Sequence, residues 1–469
     1  MQNNQTQTTP HMPRRRKRTK LQIFKEAYLP TIILAITIVL VLVFIIGGSI
    51  KHNRPDETVP PETTVPSTPT PSTQDPQLVL WEQEATALLM RAELLARDYD
   101  YEGAIAALDS FSGDAKRFPA LGKARSQYQE VLQTMVSWSA EQVPNLSFHV
   151  LIADPVRAFA DKTYGSSYKK NFVTVSEFEA ILQQLYDNGY VLVDLDDFYT
   201  TEFNASSGRT IFSQTQVQLP AGKKPLMITE TNANYYSYMV DGNNDGKPDS
   251  KGAGFANKLC YDGEFYNELI NADGSISTGA FDLVPILEAF IKAHPDFSYR
   301  GARATIAFSG YDGVLGYRIN SKSLSDSALQ QERDGLATVA QALRDAGYKL
   351  ACYTYDNINY STKDAITIQA DLQKWETEIA PWIGNLDILV FARDGDIGDQ
   401  NPYNGSKFNV LYNAGFRYFM GAGETPWNQV NDLYIRHNRI SVTGTNMKNH
   451  ADRFAGMFDA ATVLDSNRP

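Results

Sequence analysis

The sequence predicts an α/β protein built around an irregular (β/α) barrel. Three observations carry that expectation. From residue 144 onward, short and continuously apolar runs alternate with amphipathic stretches, the pattern of parallel strands buried on both faces between helices. The number of such units suits a barrel, in which chemistry sits where strands end. The composition, 43% hydrophobic and 21% charged over 469 residues, supports a large core and excludes wholesale disorder. The length implies more than one unit.

The units follow in order. Residues 1–26 hold seven basic groups and one acid, and the rest of the chain has 36 basic against 53 acidic residues. The acidic body argues against nucleic acid as a partner. No charge occurs from Ala27 to Ile50. As a helix these positions would span about 36 Å, enough for a bilayer core of about 30 Å. The run is longer than the apolar region of a cleavable signal, and no A-x-A site follows it. Residues 27–50 are therefore expected to be one transmembrane helix. The basic flank, Arg14 to Lys25, keeps the N-terminus cytoplasmic and places the body outside the cell.

Residues 51–78 contain Pro55, Pro60, Pro61, Pro66, Pro69, Pro71 and Pro76 among Thr, Ser and Glu. Proline fixes φ and removes donors, so a semi-extended spacer is expected, suited to a cell-wall target or to plain tethering. Residues 79–143 show apolar residues at helical spacing, including Leu88, Leu95, Ile105 and Val131, and read as a small helical hairpin. In the body, 144–469, Thr174 and Glu177 form a capping box that opens a helix. Strands are expected at 145–152, 190–195, 225–230, 303–308, 348–353, 387–392 and 417–420. Helices are expected around 285–293, 336–345 and 372–379. Two cysteines, Cys260 and Cys352, exclude a disulfide-rich scaffold and a CxxC zinc site.

Five phrases in this body, taken in order, resemble the polysaccharide deacetylase (NodB-homology) family. They are LSFHVLI, VTVSEFEAILQQLYDNGYVLVDLDDF, KKPLMITETNANYYSY, ARATIAFSG and AGYKLACYTYDNINYST, and the resemblance spans His149 to about Arg439. It implies metal-assisted removal of N-acetyl groups from amino sugars. It also implies a site: an Asp base, an Asp metal ligand and two histidines four residues apart. The matching positions here are Thr231, Asn232, Tyr353 and Asn357. Amides and hydroxyls are poor ligands for zinc and cannot act as a general base near neutral pH. No catalytic zinc is therefore expected. Glu230, one residue before Thr231, could replace the base if the register slips. His149 is placed near the mouth, with a packed core histidine as the plainer reading. Asp394, Asp396 and Asp399 in ARDGDIGD follow a strand and could serve as acid and base, or form a solvated loop. NYYSY (Asn234 to Tyr238) and Trp427 could stack on sugar rings.

Asp241, Asn243, Asp245 and Asp249 stand at positions 1, 3, 5 and 9 of a calcium-loop pattern, with Gly246 at the turn and the Lys247 carbonyl as a fifth oxygen. Position 12 is Gly252 rather than a bidentate Glu, and an Asx-turn loop without metal has the same composition. Three functions remain: a membrane-anchored binder of cell-wall or surface polysaccharide, an active carbohydrate deacetylase with a rebuilt site, and a structural envelope protein. Oligomeric state is not legible.

Overall fold

The computed structural model describes residues 75–243, 245, 247–398 and 401–469. The basic tail 1–26, the expected membrane helix 27–50 and nearly all of the linker lie outside the described residues. Among the described residues no helix is long and apolar enough to cross a membrane.

The first described element starts inside the expected linker. Helix α1, Pro76–Arg97, is capped by the Asp75 side chain, with Pro76 in the first turn where its missing N–H costs nothing. It packs with α2, Tyr101–Asp109, and α3, Pro119–Gln133, around Ala85, Ala92, Ala104, Leu108 and Leu121. The expected hairpin is thus a three-helix unit, because the loop 110–118 leaves the third amphipathic stretch long enough to cover the first two. Met135–Trp138 then pairs antiparallel with Val217–Pro220, and Tyr99 bonds the Asp296 carbonyl at 2.6 Å, which seats the unit on the barrel.

Eight parallel strands follow: β1 Asn145–Phe148, β2 Tyr190–Leu192, β3 Lys224–Thr231, β4 Thr305–Phe308, β5 Lys349–Cys352, β6 Ile388–Val390, β7 Tyr418–Ala422 and β8 Tyr434–Ser441. Seven close a barrel in the order β1-β3-β4-β5-β6-β7-β8, and β8 returns to β1 through Ile440 and Leu146. β2 pairs only with the first half of β3, whose second half pairs with β4, which makes the barrel irregular. Helices α4 Val175–Asp187, α5 Leu283–Ala293, α6 Asp326–Ala346, α7 Ala365–Glu378 and α8 Gly405–Asn413 surround it. The capping box of Thr174 and Glu177 is present. α6 ends at Gly347, whose φ of 107° suits glycine alone among ordinary residues.

Strand alternation divides the barrel residues into two sets. Leu146, Phe148, Ile228, Ile306, Phe308, Leu350, Cys352, Leu389, Phe419 and Ile440 face the helices. Met227, Ala307, Ala351, Tyr353, Ile388, Val390, Met420 and Ile435 belong to an interior cluster. Polar inward residues stand beside that cluster: Thr229 bonds Asn145 at 2.8 Å, and both contact the Met420 sulfur.

Candidate functional site at the barrel mouth

The mouth is built where β1, β3, β5 and β8 end. His149 follows β1, and its Nδ1 lies 3.1 Å from both the Thr231 carbonyl and the Thr231 hydroxyl. The hydroxyl donates to the Phe148 carbonyl at 3.0 Å, so the ring N–H goes to the Thr231 carbonyl, which leaves Nε2 as the acceptor. Burial lowers the His149 pKa, and the Arg439 guanidinium lowers it further against the opposing Thr231 bond and the Asp394 charge. The imidazole is neutral near pH 7.

Asn232 closes β3 with φ 57°, and its side-chain oxygen accepts the Tyr236 hydroxyl at 2.5 Å. Tyr236 also bonds Ser309, at the end of β4, at 2.7 Å. Tyr353 follows β5, and its hydroxyl accepts the Arg393 N–H at 3.3 Å. Burial raises its pKa, with Arg439 pulling the other way, so the phenol keeps its proton. Asn357 has φ 50°, and its buried oxygen has no partner among the described residues. Positive φ recurs at the ends of these strands, at Asn232, Thr354, Asn357, Arg393 and Asp394. Such backbone is costly for non-glycine residues and clusters at functional sites.

The structure brings His149, Thr231, Tyr353, Asp394 and Arg439 together, and Tyr236 links Asn232 to the same rim. Arg439 was not foreseen as a site residue. It comes from β8, a strand the sequence reading lacked, and is 2% exposed. Its Nη1 bonds the exposed Asp394 carboxylate at 3.1 Å and its Nη2 bonds the Phe391 carbonyl at 2.6 Å.

Two expected residues lie elsewhere. Glu230 points out of the barrel, because it alternates with inward Thr229 and Thr231. It is buried beside Asp282, and burial with that neighbouring charge raises its pKa well above the usual carboxylate range. Asp396 also leaves the mouth: it pairs with Arg436 at 2.9 Å and accepts the Tyr403 hydroxyl at 2.6 Å. Arg436 alternates with the inward residues of β8, so this pair stands on the helix side. Asp399 lies outside the described residues. Trp427 lies against Arg436, whose guanidinium stands 4.9 Å from its ring.

The divalent metal implied by the resemblance does not fit these positions. Thr231 and Asn232 are neutral and already bonded, and the Tyr353 phenol holds its proton. Among the described residues no three His, Cys, Asp or Glu side chains converge as a metal-binding group. The calcium-loop residues are held by local bonds: Asp241 accepts the Asp245 N–H at 3.2 Å, Asp245 accepts the Lys247 N–H at 3.0 Å, and Asp249 accepts the Asn243 N–H at 3.0 Å. The Lys251 ammonium donates to Asn243 at 2.7 Å. Gly246 lies outside the described residues.

A tyrosine shelf adjoins the mouth. Tyr238 stacks on Tyr236 at 5.5 Å and 15° and meets Tyr164 at 4.9 Å, while Tyr236 meets Tyr311 at 6.1 Å. Tyr164, Tyr238 and Tyr311 are 40%, 42% and 57% exposed.

No protein-family model matches the sequence, and no curated protein matches it. Among solved structures, the Streptococcus pyogenes deacetylase PplD in complex with acetate is similar at 12% identity and TM-score 0.34, over 67% of this chain and 95% of that one. A de-N-acetylase from Aggregatibacter actinomycetemcomitans is similar at 13% identity and TM-score 0.34, over 64% of this chain and 95% of that one. Likenesses of that depth assign no chemistry to this chain.

Proposed function

We propose that this protein is a membrane-anchored, extracytoplasmic barrel of polysaccharide-deacetylase type that binds N-acetylated cell-surface glycan without metal-assisted hydrolysis. The tyrosine shelf is the observation that supports this reading. Three exposed phenol rings are contiguous, through Tyr236 and Asn232, with a mouth lined by hydroxyls and amides. Aromatic faces receive the apolar faces of sugar rings, and a few convergent polar groups orient the hydroxyls and acetamides. The neutral side chains at 231, 232, 353 and 357 supply neither metal ligands nor a metal-activated water.

Titration calorimetry with an N-acetylglucosamine tetramer tests the reading. Wild type should bind, and Tyr238→Ala should weaken binding by roughly threefold to tenfold, the effect of about 0.5–1.5 kcal/mol of aromatic contact. Binding unaffected by Tyr238→Ala would remove the shelf from the function. No acetate release is expected, with or without added zinc. A second reading, hydrolysis without metal, rests on His149, whose neutral ring is oriented by Thr231 like a general base. Acetate release that survives a chelator and disappears in His149→Ala would favour it. A calcium ion at Asp241–Asp249 belongs to the proposal as a structural element, with the cation taking the place of the Lys251 ammonium.

A further inference from the structure

The interior face of β8 carries buried nitrogen atoms without partners. Both ring nitrogens of His437 and the Nε of Arg439 have none among the described residues, although both side chains are almost fully buried. Native proteins rarely leave such polar atoms unpaired, and each is costly unless a guest group satisfies it. Arg439 is also a permanent charge. Its carboxylate partner is Asp394, whose side chain is 62% exposed and bonds one Nη only. Asp394 and Arg393 sit at φ 55° and 53°, so the counterion stands on strained backbone at the rim. The exposed Arg393 acts on the same Tyr353 hydroxyl as Arg439 does. Arg439 and the Tyr353 phenol are therefore buried beneath Asp394, whose exposed carboxylate can swing into solvent.

From this arrangement we infer that the mouth recognises a carboxylate-bearing sugar, the ligand carboxylate seating on Arg439 in place of Asp394. The inference rests on the glycan-binding reading above and names the class of glycan. A guanidinium matches a carboxylate in two-point geometry, and its low exposure strengthens the pair. The acidic body of the protein disfavours anions at a distance, so selectivity comes from these contacts and not from steering. The Tyr353 phenol and the Asn357 amide remain to bond the sugar.

Calorimetry should compare a hyaluronan tetrasaccharide, which carries glucuronate, with the neutral N-acetylglucosamine tetramer. Wild type should prefer the acidic ligand by about tenfold, the usual value of one charge-assisted bond. Arg439→Gln should abolish that preference. Asp394→Ala should tighten acidic binding, because it removes the internal competitor. A merely structural role for the pair predicts weakening instead, and this variant keeps the test open where Arg439→Gln does not fold. Equal affinity for the two tetrasaccharides in wild type overturns the inference while leaving the glycan reading intact. Sodium glucuronate and sodium N-acetylmuramate, set against sodium chloride at matched ionic strength in thermal unfolding, separate ring carboxylate from lactyl carboxylate. Stabilisation by either salt that is absent from Arg439→Gln, with no tetrasaccharide bound, keeps the carboxylate site and refutes glycan-chain binding. No response to any of these ligands refutes both.

Discussion

Glu230 offers a sharp test of the register assigned to β3. Its side chain is buried between the barrel and α5, next to Asp282. Asp282 accepts backbone N–H groups from Leu151 and Leu283 at 2.8 and 2.9 Å and the Tyr235 hydroxyl at 2.6 Å. Those donors make Asp282 the anion of the pair and Glu230 the proton carrier. Burial and the Asp282 charge hold the Glu230 pKa well above the usual carboxylate range. The unfolded chain releases that proton near pH 4.3, so above this pH the folded state binds more protons than the unfolded one. The contribution is fully present below about pH 4.3 and is lost as pH rises toward the folded value, at about 1.4 kcal/mol per unit.

Glu230→Gln keeps the shape, offers an N–H to Asp282 and cannot titrate. Urea unfolding of both proteins from pH 5 to pH 7 should show the wild-type advantage shrinking by about 1.4 kcal/mol per pH unit over the part of the range below the folded pKa. Asp194 and Asp197, pushed up by burial to about 6 and about 7, titrate in both proteins and cancel in the difference, whereas Asp282, pushed up by burial to about 6 and touching Glu230, titrates with it, so the slope belongs to the pair. A difference that stays flat, or that grows with pH, would show Glu230 ionised and would refute its placement behind the barrel wall.

Three further outcomes are expected. Arg468 bonds both Glu177 oxygens, at 2.5 and 2.6 Å, in an almost fully buried pair that ties the segment after 464 to the start of α4; Arg468→Ala should cost about 3–5 kcal/mol in chemical denaturation by stranding Glu177. Millimolar calcium should raise the melting temperature of the body, an increment that Asp245→Ala should remove, and an unchanged melting temperature in wild type would leave the loop a metal-free Asx turn. Protease added to intact cells should release a fragment beginning within 51–78, whereas a protected body with a cleavable N-terminus would reverse the expected topology.

Much of the fold is legible because its signals are local. The capping box at Thr174, the apolar runs of β3 to β6 and the helix before Gly347 each carry their own pattern. β8 was missed because YIRHNRIS does not look like a barrel strand: its inward positions are Ile435, His437, Arg439 and Ser441, where an apolar face is the usual rule. The third helix of the N-terminal unit showed its periodicity, but not that it would close a core with the first two.

Sequence alone determined that a barrel forms, that the positions matching the family site carry no carboxylate or imidazole, and that Tyr and Asn crowd the loop after β3. These follow from residue identity and short-range periodicity. Tertiary structure decided which carboxylates face the mouth. Asp394 meets Arg439 and Asp396 meets Arg436, two residues apart and on opposite sides of one wall. A strand reverses its side chains at every residue, so Glu230 and Thr231 share a peptide bond but not a compartment. Direction of that kind depends on strand register, which the partners across the sheet set and no single segment encodes.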